Sequence, residues 1–136
     1  LARLRRRGAL AVYGVEAVDS ESDGGNEVGE HTSLVLDGDE YAHISYYDAT
    51  DDDLKYAYQD VSGWYTLTVD SDGNVGKYTS LALDGDGYPH ISYYDEVNGD
   101  LKYAWYDGTS RVYALGEVPE QNSAGQYALA QGRALE

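Results

Sequence analysis

Two histidines, His43 and His90, lie inside the same short sequence, HISYYD. Histidine ligates metals and transfers protons near neutral pH, so a repeated histidine could line a metal or sugar pocket. The alternative is structural: each ring bonds a neighbouring strand or the aspartate that ends its own strand, Asp48 or Asp95. We favour the structural interpretation, because a residue that recurs in every repeat together with its neighbours usually has a role in folding each repeat.

Aromatic side chains accompany the histidines, since the chain has 15 tyrosines and two tryptophans but no phenylalanine. Alternation along a strand puts Tyr47 on the same face as His43. Exposed rings stack on sugar rings, which would suit carbohydrate binding, whereas packing between sheets is the simpler alternative for each ring. The candidate ligand-binding residues are His43, Tyr47, Trp64, His90, Tyr94 and Trp105.

An acidic stretch nearly matches the spacing of a calcium-binding EF-hand loop. Asp19, Glu21, Asp23 and Glu30 take the first, third, fifth and twelfth positions, and Gly24 takes the sixth. The glutamate at the third position is too long for the usual geometry, and no flanking helices are predicted. We therefore favour an acidic linker, with Ca²⁺ as the alternative and no other cofactor expected.

A tandem repeat supplies the elements that must position these side chains. Residues 28–60 align with 75–107 without a gap, at a constant offset of 47 (75 minus 28), and 22 of the 33 pairs are identical (33 minus 11 mismatches). A fixed period of this length is typical of solenoids, propellers and repeat arrays. The repeat therefore decides the expected fold.

Each repeat predicts four short antiparallel strands, because Tyr, Ile, Val and Thr alternate with polar residues between turn signals. The predicted strands are 32–36, 41–47, 54–59 and 64–69, then 79–83, 88–94, 101–106 and 111–115. The Asp37-Gly38 and Asp84-Gly85 pairs mark hairpins in which glycine would take positive φ. Helical periodicity is weak and confined to 123–136.

Four strands in about 47 residues is the size of a β-propeller blade, so the expected fold is an all-β chain of two full blades with partial blades at both ends. The predicted units are a basic leader with a lone strand and acidic linker (1–27), two blades (28–74 and 75–121) and a partial repeat (122–136). Val18-Asp19-Ser20 matches Val69-Asp70-Ser71, which places a fourth strand ahead of the first blade.

Composition excludes several function classes. The formal net charge is −16, and four of the nine basic residues fall in the first seven positions, which argues against nucleic-acid binding. Without cysteine there is no disulfide, thiolate metal site or cysteine nucleophile. No apolar run approaches the roughly 18 residues of a membrane-spanning helix.

The segments LDGDGYPHISYYD and DLKYAWYDG resemble repeats of bacterial and archaeal surface-associated propeller proteins of the sialidase-like or lectin-like kind. The resemblance covers 28–107 and implies a propeller at the cell surface or outside the cell. Sialidase activity would need an arginine cluster, yet only Arg111 and Arg133 lie outside the leader. We therefore predict no catalytic residues and no enzyme activity.

Two blades cannot close a ring, because each blade must cover the apolar face of its neighbour. We therefore expect copies of the chain to complete one another as a homo-oligomeric ring or a fibre. A carbohydrate-binding module is the alternative, and a glycosidase is a distant third.

Overall fold

The computed structural model describes residues 11–20 and 27–109, together with the backbone of four short strands beyond them. All regular structure in these residues is β-strand, and the paired strands are antiparallel. The predicted all-β class is confirmed. Nowhere in this described part of the chain is there a helix long and apolar enough to cross a membrane.

The first repeat forms a four-stranded sheet in which strands adjacent in sequence pair with each other. Its strands are β1 (Val28–Leu36), β2 (Ala42–Asp48), β3 (Asp53–Asp60) and β4 (Gly63–Asp70). Loops of five, four and two residues join them (37–41, 49–52 and 61–62). Loops this short allow only hairpin connections, so the order along the chain becomes the order in the sheet.

The second repeat forms a three-stranded sheet of β5 (Val75–Leu83), β6 (Pro89–Asp95) and β7 (Asp100–Trp105). Its register reproduces that of the first sheet, because Ser80 pairs with Ser92 as Ser33 pairs with Ser45. Identical residues therefore take identical places in the two sheets.

The predicted fourth strand of the second repeat, 111–115, is wrong in its pairing. Its observed part, β8 (Val112–Tyr113), pairs with β11 (Ala134–Leu135), while β9 (Pro119–Gln121) pairs with β10 (Tyr127–Leu129). The sequence RVYALGE lacks the regular alternation of β4, which explains the lost pairing. The weak helical periodicity of 123–136 was also misleading, since β10 and β11 lie there.

The turn between β1 and β2 differs from the prediction. Positive φ occurs at Glu40 (69°) and Gly87 (85°), and not at Gly38 or Gly85. The N–H of Glu40 donates to the carbonyl of Asp37 at 3.0 Å, so the left-handed residue itself closes the turn. Because glycine alone takes this conformation without strain, the first repeat carries strain at Glu40 that the second avoids.

The hydrophobic core lies between the two sheets, where β5 packs against β1, β2 and β3. Both repeats contribute to it, through Leu54, Tyr56, Val75, Leu81, Ile91, Tyr93 and Ala104. Tyrosine takes the place of phenylalanine, and the hydroxyl of Tyr93 donates to Asp70 at 2.7 Å, so the buried polar atom is satisfied. One face of the first sheet is thus sealed by the second repeat.

Candidate functional site

His43 belongs to a network that fastens the turn between β1 and β2 to β3. Its Nε2 lies 2.9 Å from Oδ2 of Asp37, and its Nδ1 lies 2.6 Å from the hydroxyl of Tyr56. A carboxylate only accepts, so we assign the ring proton to Nε2, and Nδ1 accepts from Tyr56. The bond to His43 holds the pKa of Asp37 below its ordinary value, and burial raises the pKa of Tyr56.

The second repeat builds the same network around His90. Asp84 lies 3.1 Å from Nε2 and the Tyr103 hydroxyl lies 2.5 Å from Nδ1, and the bond to His90 lowers the pKa of Asp84. The ring therefore bonds a neighbouring strand, as the structural interpretation expected. The carboxylate that also bonds the ring comes from the turn before the histidine strand, and not from Asp48 or Asp95, the other partners that were considered.

The two candidate tyrosines differ in access. Tyr47 is buried, and its hydroxyl lies 2.5 Å from Asp52 and 2.9 Å from Asn74, while Nζ of Lys77 lies 5.4 Å from the ring centroid. Burial raises the pKa of Tyr47 well above its ordinary value, so the hydroxyl stays protonated. Tyr94, at the same place in the second repeat, is half-buried and lines a depression in the surface.

The two tryptophans lie on different sheets. Trp64 is half-buried near the start of β4, and its Nε1 is buried without a hydrogen-bond partner in the described residues. Trp105 ends β7, is exposed, and stacks on Tyr103 with 5.1 Å between ring centroids. The structure thus places His90, Tyr94 and Trp105 on accessible parts of the second sheet, while His43 and Tyr47 are buried.

The predicted calcium residues are only partly described. Asp19 lies 2.8 Å from Nζ of Lys55, Glu30 is exposed with its carboxylate 3.9 Å from His31, and Glu21 and Asp23 lie outside the described residues. Within the described ranges no three acidic or histidine side chains are grouped to hold a metal ion. Calcium at the full set of four stays a prediction.

Sequence reasoning missed a buried cluster between the end of β4 and the second sheet, which we call the clasp and which consists of Asp70, Tyr93 and Lys102. Oδ2 of Asp70, at the end of β4, lies 2.6 Å from Nζ of Lys102 and accepts from the Tyr93 hydroxyl. The same clasp recurs one repeat earlier, where Asp19 bonds Lys55 and accepts from Tyr46 at 2.6 Å. Its sequence signal was the lysine shared by both repeats, Lys55 and Lys102.

The junction between the sheets is held by hydrogen bonds from β5. The N–H of Val75 donates to the carbonyl of Asp52 at 3.0 Å, and the hydroxyl of Thr79 donates to Ser45 at 2.9 Å. Further along, the N–H of Leu81 donates to Ser33 at 3.1 Å. β5 therefore forms hydrogen bonds both to the backbone and to the serine side chains of the first sheet.

The corresponding face of the second sheet, which we call the outer face, carries the same groups uncovered. Leu54 on the first sheet is 0% exposed, whereas its counterpart Leu101 is 83% exposed. A depression adjoins this leucine, lined by Tyr78, Ser92, Tyr93, Tyr94, Gly99 and Leu101. On the first sheet the same place is filled by the start of β5.

Comparison with known proteins does not assign the chain to a family. No protein-family model matches the chain, and no curated protein or solved structure matches it either.

Proposed function

We propose that the chain is a non-enzymatic structural module that assembles with itself, its two sheets serving as consecutive blades of a propeller-like array. One observation carries the proposal: Leu54 is fully buried by the next repeat, while the equivalent Leu101 is exposed. A leucine of this size contributes about 1.5–3 kcal/mol when buried. The outer face is thus built to receive another repeat of the same kind.

The occupant that fits the outer face is β1 of a second copy. β1 has the sequence VGEHTSLVL, closely related to the VGKYTSLAL of β5. Leu81 of β5 is 8% exposed against the first sheet, whereas the equivalent Leu34 of β1 is 64% exposed. One copy therefore offers the uncovered strand β1. The next copy offers the uncovered part of the outer face around Leu101, which we call the seat.

The hydrogen-bonding groups of the seat support the same occupant. Ser80 and Gly99, which correspond to Ser33 and Asp52 of the first sheet, are exposed residues, and Ser92, which corresponds to Ser45, is half-buried. β5 uses those three groups of the first sheet to dock. An incoming β1 would meet the same acceptors at the same spacing.

This contact joins two different surfaces, so it is heterologous. A heterologous contact closes into a ring when the rotation between copies is a simple fraction of a full turn, and otherwise grows into a filament. Each copy carries a formal charge of −16, so the copies repel at low ionic strength. We expect association to strengthen between about 0.01 M and about 0.15 M salt, as screening increases.

The experiment is sedimentation of the purified chain over a range of concentrations, with electron microscopy of the product. We expect oligomers that Leu101→Glu disperses, because a carboxylate at the seat would be buried without a partner. Val61→Glu is the matched control, since Val61 is equally exposed (87%) but lies in the turn between β3 and β4. A monomer at micromolar concentration and moderate salt would contradict the proposal.

A carbohydrate-binding role is the second candidate, favoured by the stacked Tyr103 and Trp105 on the second sheet. Stacked exposed rings suit the apolar faces of sugars. A glycan array tests it, with Trp105→Ala expected to abolish any sugar bound. Glycan binding by Leu101→Glu monomers, lost in the Trp105→Ala variant, would favour this role over assembly.

A further inference from the structure

The predicted lone strand ahead of the first blade is wrong for the single chain: the segment 12–18, which precedes the clasp residue Asp19, forms no strand, although its side chains are suited to one. Val12, Tyr13 and Val15 are exposed, and none of the three lies against the core. Exposed β-branched and aromatic residues in an extended segment favour pairing with a strand edge. The chain therefore carries a strand-forming segment that its own described sheets do not use.

The contacts of Asp19 identify which strand this segment corresponds to. Asp19 binds Lys55 and Tyr46 as Asp70 binds Lys102 and Tyr93. Asp70 is the last residue of β4, which pairs along its length with β3. By this equivalence the segment 12–18 takes the place of a fourth strand that ends at Asp19.

In the described residues, the second sheet lacks a strand at the position that β4 takes in the first sheet. In the first sheet, β4 pairs with the edge of β3 that β2 leaves open. In the second sheet, β7 is the counterpart of β3 and pairs only with β6 in the described structure. An uncovered sheet edge presents backbone donors and acceptors to any strand that fits.

We propose that the segment 12–18 of one copy forms the fourth strand on β7 of the next copy. This inference rests on the proposed self-assembly and names the exchange that completes it. Transferring the register of β3 and β4 places Glu16 opposite Tyr103 and Val15 opposite Ala104, as Leu67 is opposite Tyr56 and Thr66 is opposite Ala57.

The exchange agrees with the docking of β1 on the outer face. Within one chain, β4 pairs with β3, Asp70 then clasps the following sheet, and β5 docks on the first sheet. Between copies, 12–18 would pair with β7, Asp19 already clasps the following sheet, and β1 would dock on the outer face. The same copy thus supplies both contacts, and the clasp needs no rearrangement.

Disulfide trapping tests the register, because the chain contains no cysteine. Glu16→Cys and Tyr103→Cys are made as separate variants, mixed, and oxidised mildly. Residues opposite each other on antiparallel strands lie within disulfide reach. We expect a covalent dimer containing one molecule of each variant. The matched control mixes Val15→Cys with Tyr103→Cys, in which the first thiol points to the other face of the sheet, and we expect at least tenfold less cross-link.

A second variant does not depend on Tyr103. Along a strand, the N–H of alternate residues points at the partner, so Val15→Pro together with Glu16→Pro removes at least one hydrogen bond of the exchange. We expect the association constant to fall by about tenfold or more, since about 1.4 kcal/mol corresponds to tenfold. Ala11→Pro, just outside the segment, is the control and should leave association unchanged.

The outcomes separate the two proposals. If the unmodified chain stays monomeric, the self-assembly proposal fails and the exchange with it. If the chain assembles but the proline pair associates as tightly as Ala11→Pro and the cross-link forms equally in both mixtures, the exchange alone is wrong. Selective cross-linking with loss of association in the proline pair supports both.

Discussion

Gly76 lies directly on the backbone of Leu54, so that a Cβ added to Gly76 would be 2.8 Å from the Cα of Leu54 and 3.0 Å from its nitrogen. Gly76 also has a φ of +114°, which strains any other residue. The missing side chain is what lets the start of β5 seat against β3. The burial of Leu54 under β5 therefore depends on glycine at position 76, for both its small size and its positive φ.

We predict that Gly76→Ala destabilises the chain by about 2–5 kcal/mol, combining left-handed strain with an overlap that the backbone cannot relieve. Urea unfolding of the isolated chain measures this. Gly29, the counterpart in β1, has a φ of +99° but nothing within 4 Å. Gly29→Ala should therefore lower the free energy of unfolding by only about 1–2 kcal/mol, from strain alone. It should also weaken self-association, in which Gly29 would take the place that Gly76 has within the chain. Equal destabilisation by both variants would show that the contact with Leu54 is unimportant.

Most of the strand content was predictable from the repeat, because hydrophobic alternation and short turns determine strands locally. Seven of the eight predicted strands pair as expected, with boundaries extended or shifted by a few residues, and the eighth, 111–115, is present only in part and pairs elsewhere. The turn geometry was less predictable: Asp37-Gly38 was expected to place positive φ on the glycine, but the left-handed residue is Glu40. Only the second repeat, with Gly87 at that place, carried a hint of this.

The functional groups were harder to predict because their partners lie far away along the chain. Asp19 and Lys55 are separated by 36 positions (55 minus 19), and no local pattern pairs an acidic linker residue with a strand lysine. Identical residues also differ in exposure, as Leu54 and Leu101 show. Burial depends on what covers a repeat, which the repeat itself does not encode.

Glu40 offers a test of strain without a change in packing. Glu40→Gly should stabilise the chain by about 0.5–1 kcal/mol, because relief of left-handed strain, about 1–2 kcal/mol, outweighs the entropy that glycine loses on folding. The reciprocal Gly87→Glu should destabilise by a similar amount. Chemical denaturation of both variants gives the comparison, and a destabilised Glu40→Gly would mean that the side chain makes a contact worth more than the strain.

Asp53 predicts a dependence of stability on pH. Burial, followed by the charges of Asp51, Asp48 and Asp70, raises the pKa of Asp53 from 3.8 to about 6. A carboxyl group whose pKa is higher in the folded state is disfavoured when ionised, so its penalty is absent below about pH 4 and complete above about pH 6. Asp53→Asn should raise the melting temperature at pH 8 and change it little at pH 4.

Asp100→Asn is the matched control for that prediction, because Asp100 takes the same place in the second repeat and is exposed. The control removes the same formal charge from the same net −16. If both variants raise the melting temperature equally at pH 8, the gain comes from net charge and not from the burial of Asp53.

The clasp between Asp70 and Lys102 should behave as a buried ion pair, since Asp70 is fully buried and Lys102 is nearly so. Asp70→Ala leaves the ammonium group buried without this carboxylate and also removes the acceptor of the Tyr93 hydroxyl. We predict a loss of about 3–5 kcal/mol in the free energy of unfolding. The double variant Asp70→Leu with Lys102→Met should recover much of it, because apolar side chains of similar volume replace buried pairs at little cost. Denaturant unfolding of the single and double variants measures both, and a double variant as unstable as Asp70→Ala would show that the clasp contributes through Tyr93 and not through Lys102.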